Sequence, residues 1–243
     1  MLTLRDIKLR YKQTLLGITW VVLQPILSAL LFAGIFGRGM GISHEESSYL
    51  LFAFSALIPW TVFSRSLERA SPSIVADTRL ITKVYFPRVF IPLSATLGVG
   101  IDYLVTVILG LVLCLAEGLP IGRFVIGFPL ATLHLFLFCG ALNTLIAGLN
   151  VPFRDLKHIV PFGIQLAMIA SPIVYPLSMI PEGYQALYQL NPLVGIVELY
   201  RHLLIGGSFP MGPWISSVVA TLVLIASSLL LFHKLERNFA DVI

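Results

Sequence analysis

The sequence has little charge and little cysteine for its length. Only 12% of its 243 residues are charged and 57% are hydrophobic, which leaves too little polar surface to cover a soluble globular domain. Its two cysteines, Cys114 and Cys139, both lie inside apolar stretches, so no disulfide framework is expected. Together with a mean hydropathy of +0.92, this composition predicts a protein of the lipid bilayer.

The sequence also lacks the motifs of covalent chemistry and metal binding. It contains no GxxxxGK[ST] phosphate loop, no HExxH or CxxC motif and no GxSxG nucleophile elbow. Its five histidines are scattered without ligand spacing. The basic residues behind its isoelectric point of about 9.2 stand at the ends of apolar segments and form no basic face for nucleic acid. We therefore expect no catalytic, cofactor or metal site in this chain.

Six apolar segments have the length of about 20 residues that a bilayer span requires. Because hydrocarbon offers the backbone no hydrogen-bond partner, these segments are predicted to be helices. They cover residues 15–37, 49–67, 89–116, 124–149, 159–180 and 212–232. The first is too long for a cleavable signal and is expected to stay as an anchor. Residues 1–243 are thus predicted to form a single all-α, polytopic transmembrane domain.

The placement of lysine and arginine predicts the orientation. Only Arg38, Arg123 and Arg201 fall on one side of the predicted membrane. The other side holds the remaining thirteen basic residues, namely Arg5, Lys8, Arg10, Lys12, Arg65, Arg69, Arg79, Lys83, Arg88, Arg154, Lys157, Lys234 and Arg237. Both termini are therefore expected in the cytoplasm.

Residues 190–206 are moderately apolar and are a possible seventh span. Glu198 and Arg201 would then lie near the membrane centre, where each costs about 2.5–3.5 kcal/mol on insertion scales. A re-entrant or interfacial helix on the external face is the preferred interpretation. Because Glu198 and Arg201 are three residues apart, they are expected to pair on one helical face.

Two cytoplasmic stretches carry helical signals. At the N-terminus, Tyr11 belongs to an apolar stripe, and Arg5, Lys8 and Lys12 lie opposite it, which predicts a helix in the membrane interface. In the loop 65–88, Ser71 before a proline predicts a helix start, and Ile74, Ala76, Leu80 and Ile81 give the helix an apolar side. Each stretch is either a topology or connecting element or a surface that contacts a partner.

Asp102 is the one acidic residue well inside a predicted span. An intramembrane carboxylate is by default a functional candidate. The alternative is a structural hydrogen bond to a neighbouring helix, for instance to Asn143. No second buried charge is predicted to complete a proton or ion relay, which argues against an ion-coupled carrier.

Several stretches, in order along the chain, resemble the membrane subunit of type-2 ABC exporters for bacterial polysaccharides, the family that exports O-antigen, capsule and teichoic acid. They are RDIKLRYKQTLLGITWVVLQP, LITKVYFPR, NVPFRDLKHIV, SPIVYPLSMIPE, LNPL and ERNFADVI. The resemblance implies a permease homodimer in the bacterial inner membrane that has no catalytic site of its own. Two copies of a separate cytoplasmic ATPase would bind ATP and Mg²⁺. The substrate would be an undecaprenyl-diphosphate-linked, O-antigen-like glycan.

The resemblance also assigns expected roles to residues. The interface helix would include Arg5, Asp6, Lys8, Tyr11 and Lys12. The ATPase-coupling helix would lie within 71–83 and include Ser71, Ile74, Asp77, Arg79, Leu80 and Lys83. The external channel exit would include Tyr184, Tyr188, Glu198, Tyr200 and Arg201. Apart from the resemblance, Tyr184, Tyr188, Tyr200 and Trp214 are either sliding contacts for sugar or an ordinary aromatic belt, and the belt is the preferred interpretation for Trp214. Asp102 and Asn143, identified from the predicted spans, are the intramembrane polar residues.

Two alternative functions remain, and the first of them shares the span pattern. A drug or small-lipid exporter of the broad ABC type would differ in which substrate stimulates ATP hydrolysis. An ion-coupled secondary carrier would need inverted repeats and paired intramembrane charges. The only hint of a repeat is RDIK at residue 5 against RDLK at residue 154, and four residues match easily by chance.

Overall fold

A computed structural model describes residues 17–36, 49–76, 86–237 and 239. All regular structure in these ranges is helical, which confirms the all-α prediction. The helices are α1 Gly17–Phe36, α2 Tyr49–Ala70, α3 Ser73–Ala76, α4 Phe90–Leu97, α5 Gly100–Ala116, α6 Gly122–Leu149, α7 Leu156–Ile169, α8 Glu182–Tyr188, α9 Pro192–Leu204 and α10 Met211–Glu236, with a 3₁₀ turn at Leu177–Met179.

Five helical segments in the described ranges are long and apolar enough to cross a membrane: α1, α2, α4 with α5, α6 and α10. The chain is therefore a multi-pass membrane protein. The third predicted span consists of two helices, α4 and α5, which are joined through Gly98 and Val99. Both residues keep φ and ψ near helical values, so the two helices follow one path.

The predicted span 159–180 is not one helix. Helix α7 begins at Leu156 and already ends at Ile169, and its 14 residues cover only about 21 Å. The reason lies in Ser171-Pro172, because a proline disfavours the helical conformation of the residue before it. The chain then continues through a turn and the 3₁₀ segment to α8.

Helix α2 is the centre of the bundle. In α2, 78% of the span residues are buried, against 17% for α1, which lies at the edge. Buried residues of α2 such as Phe54, Ile58 and Phe63 share the main core cluster with residues of α5, α6 and α9. At Gly110 of α5, a Cβ atom would lie 2.9 Å from the Ile58 side chain, so this glycine permits close packing of the two helices.

Tertiary hydrogen bonds define two ends of the bundle. At the first end, Asn150 Nδ2 donates to the Ser71 carbonyl at 2.9 Å and Arg88 Nη1 donates to the Glu236 carbonyl at 2.7 Å. This end therefore joins the last turns of α2, α6 and α10 to the start of α4. At the second end, Cys114 Sγ donates to the Leu204 carbonyl at 3.3 Å, which places the end of α9 beside the end of α5.

The segment between α6 and α10 runs from the first end to the second without a full-length helix. Helix α7 spans most of the distance between the two ends. The turn after it reaches the start of α2, where the Tyr49 hydroxyl donates to the Val174 carbonyl at 2.6 Å. Asn191 then caps α9 by accepting from the Leu193 amide at 3.1 Å, with Pro192 at the first helical position. The Asn191 amide also donates to the Ala170 carbonyl, which fastens α9 to the end of α7.

The predicted loop 65–88 starts later than expected. Helix α2 continues to Ala70, and the next helix, α3, begins at Ser73. Ser71 is not its cap, because its buried hydroxyl has no hydrogen-bond partner in the described part of the chain. Ile74 is fully buried as expected, but Ala76 is exposed, which corrects the predicted apolar side at that position.

Candidate functional site

A groove with polar lining runs along α2 between α1 and α7. It encloses about 510 Å³, a volume typical of ligand sites. Helix α1 contributes Trp20, Gln24, Pro25, Ser28 and Phe32, helix α7 contributes Met168, and helix α2 contributes Leu57, Trp60, Thr61, Ser64, Arg65, Glu68 and Arg69. Two of the three tryptophans of the chain therefore line it.

The groove results from a polar stripe on an otherwise apolar helix. The lining residues of α2 from Leu57 to Glu68 are spaced by one, three or four positions, which places them on one helical face. Thr61 and Ser64 bond back to the carbonyls of Leu57 and Trp60, so their hydroxyls stay satisfied and still offer acceptor lone pairs to a ligand. This stripe is a signal that sequence reasoning missed, although its spacing is visible in the sequence.

Arg65 is the central charged residue of the groove. Its Nη1 donates to Asp102 Oδ2 at 2.8 Å, and its Nη2 donates to Gln24 Oε1. The Asp102 side chain is fully buried, whereas that of Arg65 is 14% exposed. Asp102 on α5 thus lies behind the guanidinium and fixes it, while Gln24 on α1 holds it from the side. A planar guanidinium held in this way presents its remaining N–H groups in a defined direction.

The expectation for Asp102 is confirmed in part. It is a buried intramembrane carboxylate with a polar partner on another helix, but that partner is Arg65 and not Asn143. The Asn143 amide donates to Thr96 Oγ1 at 2.8 Å instead. The expectation that no second charge accompanies Asp102 was also wrong, because Arg65, although 14% exposed, lies five residues inside α2 and pairs with it.

A second paired arginine, which is buried, lies toward the other end of α2. The Arg201 guanidinium stands 3.8 Å from the ring centroid of Phe52, and its Nη2 donates to the Ile173 carbonyl at 3.1 Å. Its Nη1 donates to Glu198 Oε1 at 2.7 Å, which confirms the predicted pair. Burial lowers the pKa of the Arg201 guanidinium and Glu198 raises it, and the side chain remains charged.

The residues predicted for an external exit differ in their solvent exposure. Tyr200 is fully buried and shares a 2.6 Å hydrogen bond with Tyr103, whose hydroxyl also contacts Thr132. Tyr200 therefore offers no ring surface to a substrate in this conformation, contrary to the expectation of a sliding contact. Tyr184 is exposed on α8, and Tyr188 is partly buried against Tyr175.

The two predicted cytoplasmic helices are described only in small part. Of the coupling residues, Ser71 and Ile74 lie at the first end, and Ile74 packs in a cluster with Ile91, Phe232 and Phe239. The remaining predicted members lie outside the described residues, namely Asp77, Arg79, Leu80 and Lys83 of the loop and Arg5, Asp6, Lys8, Tyr11 and Lys12 of the interface helix.

The described residues contain no cluster of histidine, cysteine, aspartate or glutamate that could hold a metal ion. Cys114 and Cys139 are free and buried, in agreement with their expected role as core residues.

Comparison with known proteins places this chain in a family. Residues 1–205 match the family described as ABC-2 type transporter. The O-antigen export system permease protein RfbA of Klebsiella pneumoniae is 32% identical over 100% of this chain and 93% of its own length. The protein of the same name from Myxococcus xanthus is 31% identical over 98% of this chain and 92% of its own length. The polysialic acid transport protein KpsM of Escherichia coli is 29% identical over 97% of this chain and 92% of its own length. The chain belongs to the family of ABC-2 type transporters, among permeases of polysaccharide export.

Proposed function

We propose that this protein is the membrane subunit of an ATP-driven exporter. It moves a polysaccharide linked to undecaprenyl diphosphate, of the O-antigen type, from the cytoplasm across the bacterial inner membrane. The observation that carries this proposal is the groove along α2, a recess with tryptophan, hydroxyl and guanidinium groups in an otherwise apolar ABC-2 chain. The names of its relatives support the choice of a polysaccharide as substrate.

The groove has the chemistry that a passing sugar chain requires. A sugar ring has an apolar face of C–H groups and a rim of hydroxyls. Trp20 is 50% exposed and offers a large, rigid apolar surface for such a face. Gln24, Ser64 and Arg65 supply donors and acceptors for hydroxyls. Because these groups recur along one helix face, successive sugars meet similar contacts.

A homodimer would close the groove into a channel. Helices α1 and α7 flank the groove, and both expose apolar side chains. They include Leu31 and Ile35 of α1 and Phe162, Leu166 and Ile169 of α7. A two-fold axis beside this face would bring two grooves together, since a two-fold interface uses the same surface on both subunits.

The proposed topology has six crossings, with both termini in the cytoplasm and residues 190–206 as an external re-entrant segment. Helix α7 and the turn to Val174 would make the fifth crossing, because they connect the first end with the start of α2. The first end would face the cytoplasm, since thirteen of the sixteen basic residues fall on its side of the predicted membrane. A reporter fused after Ile243 should then be cytoplasmic, and external labelling there would contradict this topology.

Two copies of a separate ATPase would bind the cytoplasmic side and hold ATP and Mg²⁺. The loop that includes residues 71–83 is the proposed coupling element and residues 5–12 the proposed collar. Support comes from the start of this loop: Ser71 is bonded to α6 through Asn150, and Ile74 packs on Phe232 of α10. Force on the loop would therefore reach α2, α6 and α10. Reversing the charge of Asp77 or Arg79 should leave the complex assembled while ATP hydrolysis no longer drives export.

The proposal is tested by export of lipid-linked glycan from membranes that contain the complete transporter. Trp20→Ala should reduce export several-fold at unchanged amounts of inserted protein, because it removes apolar surface from the groove. Leu30→Ala is the matched control, since Leu30 lies on the same helix with the same exposure but outside the groove. Equal export by the two variants would rule out the groove as the substrate path.

A further inference from the structure

The last described residue, Phe239, is buried although it lies beyond the end of α10. It is 1% exposed, whereas α10 ends three residues earlier, at Glu236. Its ring meets the Phe232 ring edge to face, with 5.6 Å between the two centroids, a geometry that aromatic pairs prefer. The chain after α10 is therefore packed against the first end of the bundle.

Phe239 belongs to a buried cluster that is separate from the main core. Besides Phe239, this tail cluster contains Ile74 of α3, Ile91 of α4, Ala147 of α6, Val151 after α6 and Phe232 of α10. Ile74 is fully buried and lies near the start of the loop that joins α2 to α4, which holds the proposed coupling element. The start of this loop and the C-terminal segment are thus anchored in the same cluster.

Arg88, near the other end of that loop, contacts the same C-terminal segment. Its Nη1 donates to the Glu236 carbonyl at 2.7 Å. Its guanidinium carbon stands 6.0 Å from the Phe239 ring centroid, at the limit of a cation–π contact. The carbonyls in the last turn of a helix have no partner inside that helix, so Arg88 also satisfies the end of α10. Both ends of the loop are thereby tied to one short stretch of chain.

We propose that Phe239 is a positioning residue of the coupling path, which links the loop between α2 and α4 to α10. The inference rests on the proposed role of this loop in receiving force from the ATPase. Because a packed cluster has no room to spare, a displacement of Ile74 would either open a cavity in the cluster or carry α10 along with it. Opening a cavity costs free energy, so the motion would pass to α10. The C-terminal stretch ERNFADVI would supply this link through its phenylalanine.

The test is the amount of glycan exported per ATP hydrolysed, measured with the complete transporter in proteoliposomes. Phe239→Ala should lower this ratio about three- to tenfold, the size of effect expected along a coupling path, while ATP hydrolysis continues. Phe239→Leu keeps much of the apolar volume and should retain most of the ratio. Phe124→Ala is the matched control, because it also removes a buried ring, but from the main core at the start of α6. It should reduce the amount of folded protein without changing the ratio.

Arg88→Gln gives a second reading of the same link. It removes the positive charge beside the Phe239 ring and weakens the hold on the Glu236 carbonyl, so the ratio should fall about two- to threefold. Since Arg88 and Phe239 act through one contact, the double variant should lose less than the product of the two single losses. A loss equal to that product would show that the two residues act separately and would overturn the common link.

The outcomes separate this inference from the proposed function. Export by the unmodified transporter together with an unchanged ratio in Phe239→Ala would overturn the inference and leave the proposed function intact. If Phe239→Ala inserts poorly, an unchanged ratio in Arg88→Gln has the same meaning. ATP hydrolysis without glycan export by the unmodified transporter would remove the proposed function and the inference with it.

Discussion

Two arginines near opposite ends of α2 have similar partners and different surroundings. Arg65 and Arg201 each donate from Nη1 to a carboxylate, at 2.8 and 2.7 Å. Arg201 is sealed, because it stands over the Phe52 ring, donates to a backbone carbonyl and is only 5% exposed. Arg65 instead lines the groove and is held from the side by the exposed Gln24.

The difference separates a structural ion pair from a functional one. At the sealed pair the Arg201 guanidinium contacts only groups of the protein, although Glu198 keeps 20% exposure. These contacts fix α9 against α2 and the turn at Ile173. At the open pair one side of the guanidinium remains available to a ligand. We therefore expect changes near Arg201 to act through folding and changes near Arg65 to act through transport.

The largest effect on stability is expected at the sealed pair. Arg201→Met removes the positive charge and leaves the Glu198 carboxylate without its partner, which should destabilise the protein by about 3 kcal/mol. Thermal unfolding in detergent measures this loss. Adding Glu198→Gln should recover part of it, because the stranded charge is then gone. An unchanged unfolding temperature in Arg201→Met would show that the sealed pair is dispensable.

A somewhat smaller loss is expected where α9 packs on α10. A Cβ atom at Gly195 would lie 2.1 Å from the Pro213 carbonyl oxygen and 2.5 Å from the Ser217 Cβ. Gly195→Ala should therefore destabilise the protein by about 1–3 kcal/mol through overpacking. Gly34→Ala is the matched control, since among the described residues no atom beyond its own stretch of helix lies within 4 Å of its added Cβ. Equal stability of the two variants would contradict the tight packing of α9.

The smallest effect on stability is expected at the open pair. Gln24→Ala removes an exposed side chain, so its unfolding free energy should stay within about 0.5 kcal/mol of the unmodified protein. Export should nevertheless fall, because Arg65 loses its lateral hydrogen bond and its fixed direction. Leu27→Ala, one turn away on α1 and outside the groove, should export normally. If Gln24→Ala changed stability and left export intact, the two arginines would not differ as we describe.

Much of the fold was predictable because its signals are local. Helices α1, α2, α6 and α10 were found from apolar length alone, with ends that differ by a few residues from the prediction. The pair of Glu198 with Arg201 followed from their spacing. The early end of α7 could also have been predicted, because Pro172 disfavours a helical conformation at Ser171. The prediction missed it because apolar residues continue after this proline.

The candidate site was harder to predict because it joins distant parts of the chain. Arg65 and Asp102 are 37 residues apart, and Arg65 and Gln24 are 41 apart. The count of basic residues placed Arg65 in a loop. Its partner Asp102 lies on another helix, so a rule that uses only neighbouring residues could not identify it. Tyr200 was assigned to an exit for a related reason. Its burial results from packing in the main core, beside Tyr103 of α5, and the local sequence does not indicate this packing.

The central claim is that the groove along α2 is a polar path inside the membrane, and the accessibility of introduced cysteines tests it most directly. Ser28→Cys and Ser64→Cys place thiols in the groove on α1 and α2, and Leu30→Cys places one on the apolar exposed face of α1. The native cysteines are buried and give little background. A charged thiol reagent supplied to both membrane faces should label the two groove positions at least about tenfold faster than Leu30→Cys, because only a hydrated thiol ionises. Equal labelling at all three positions, or none in the groove, would contradict the account.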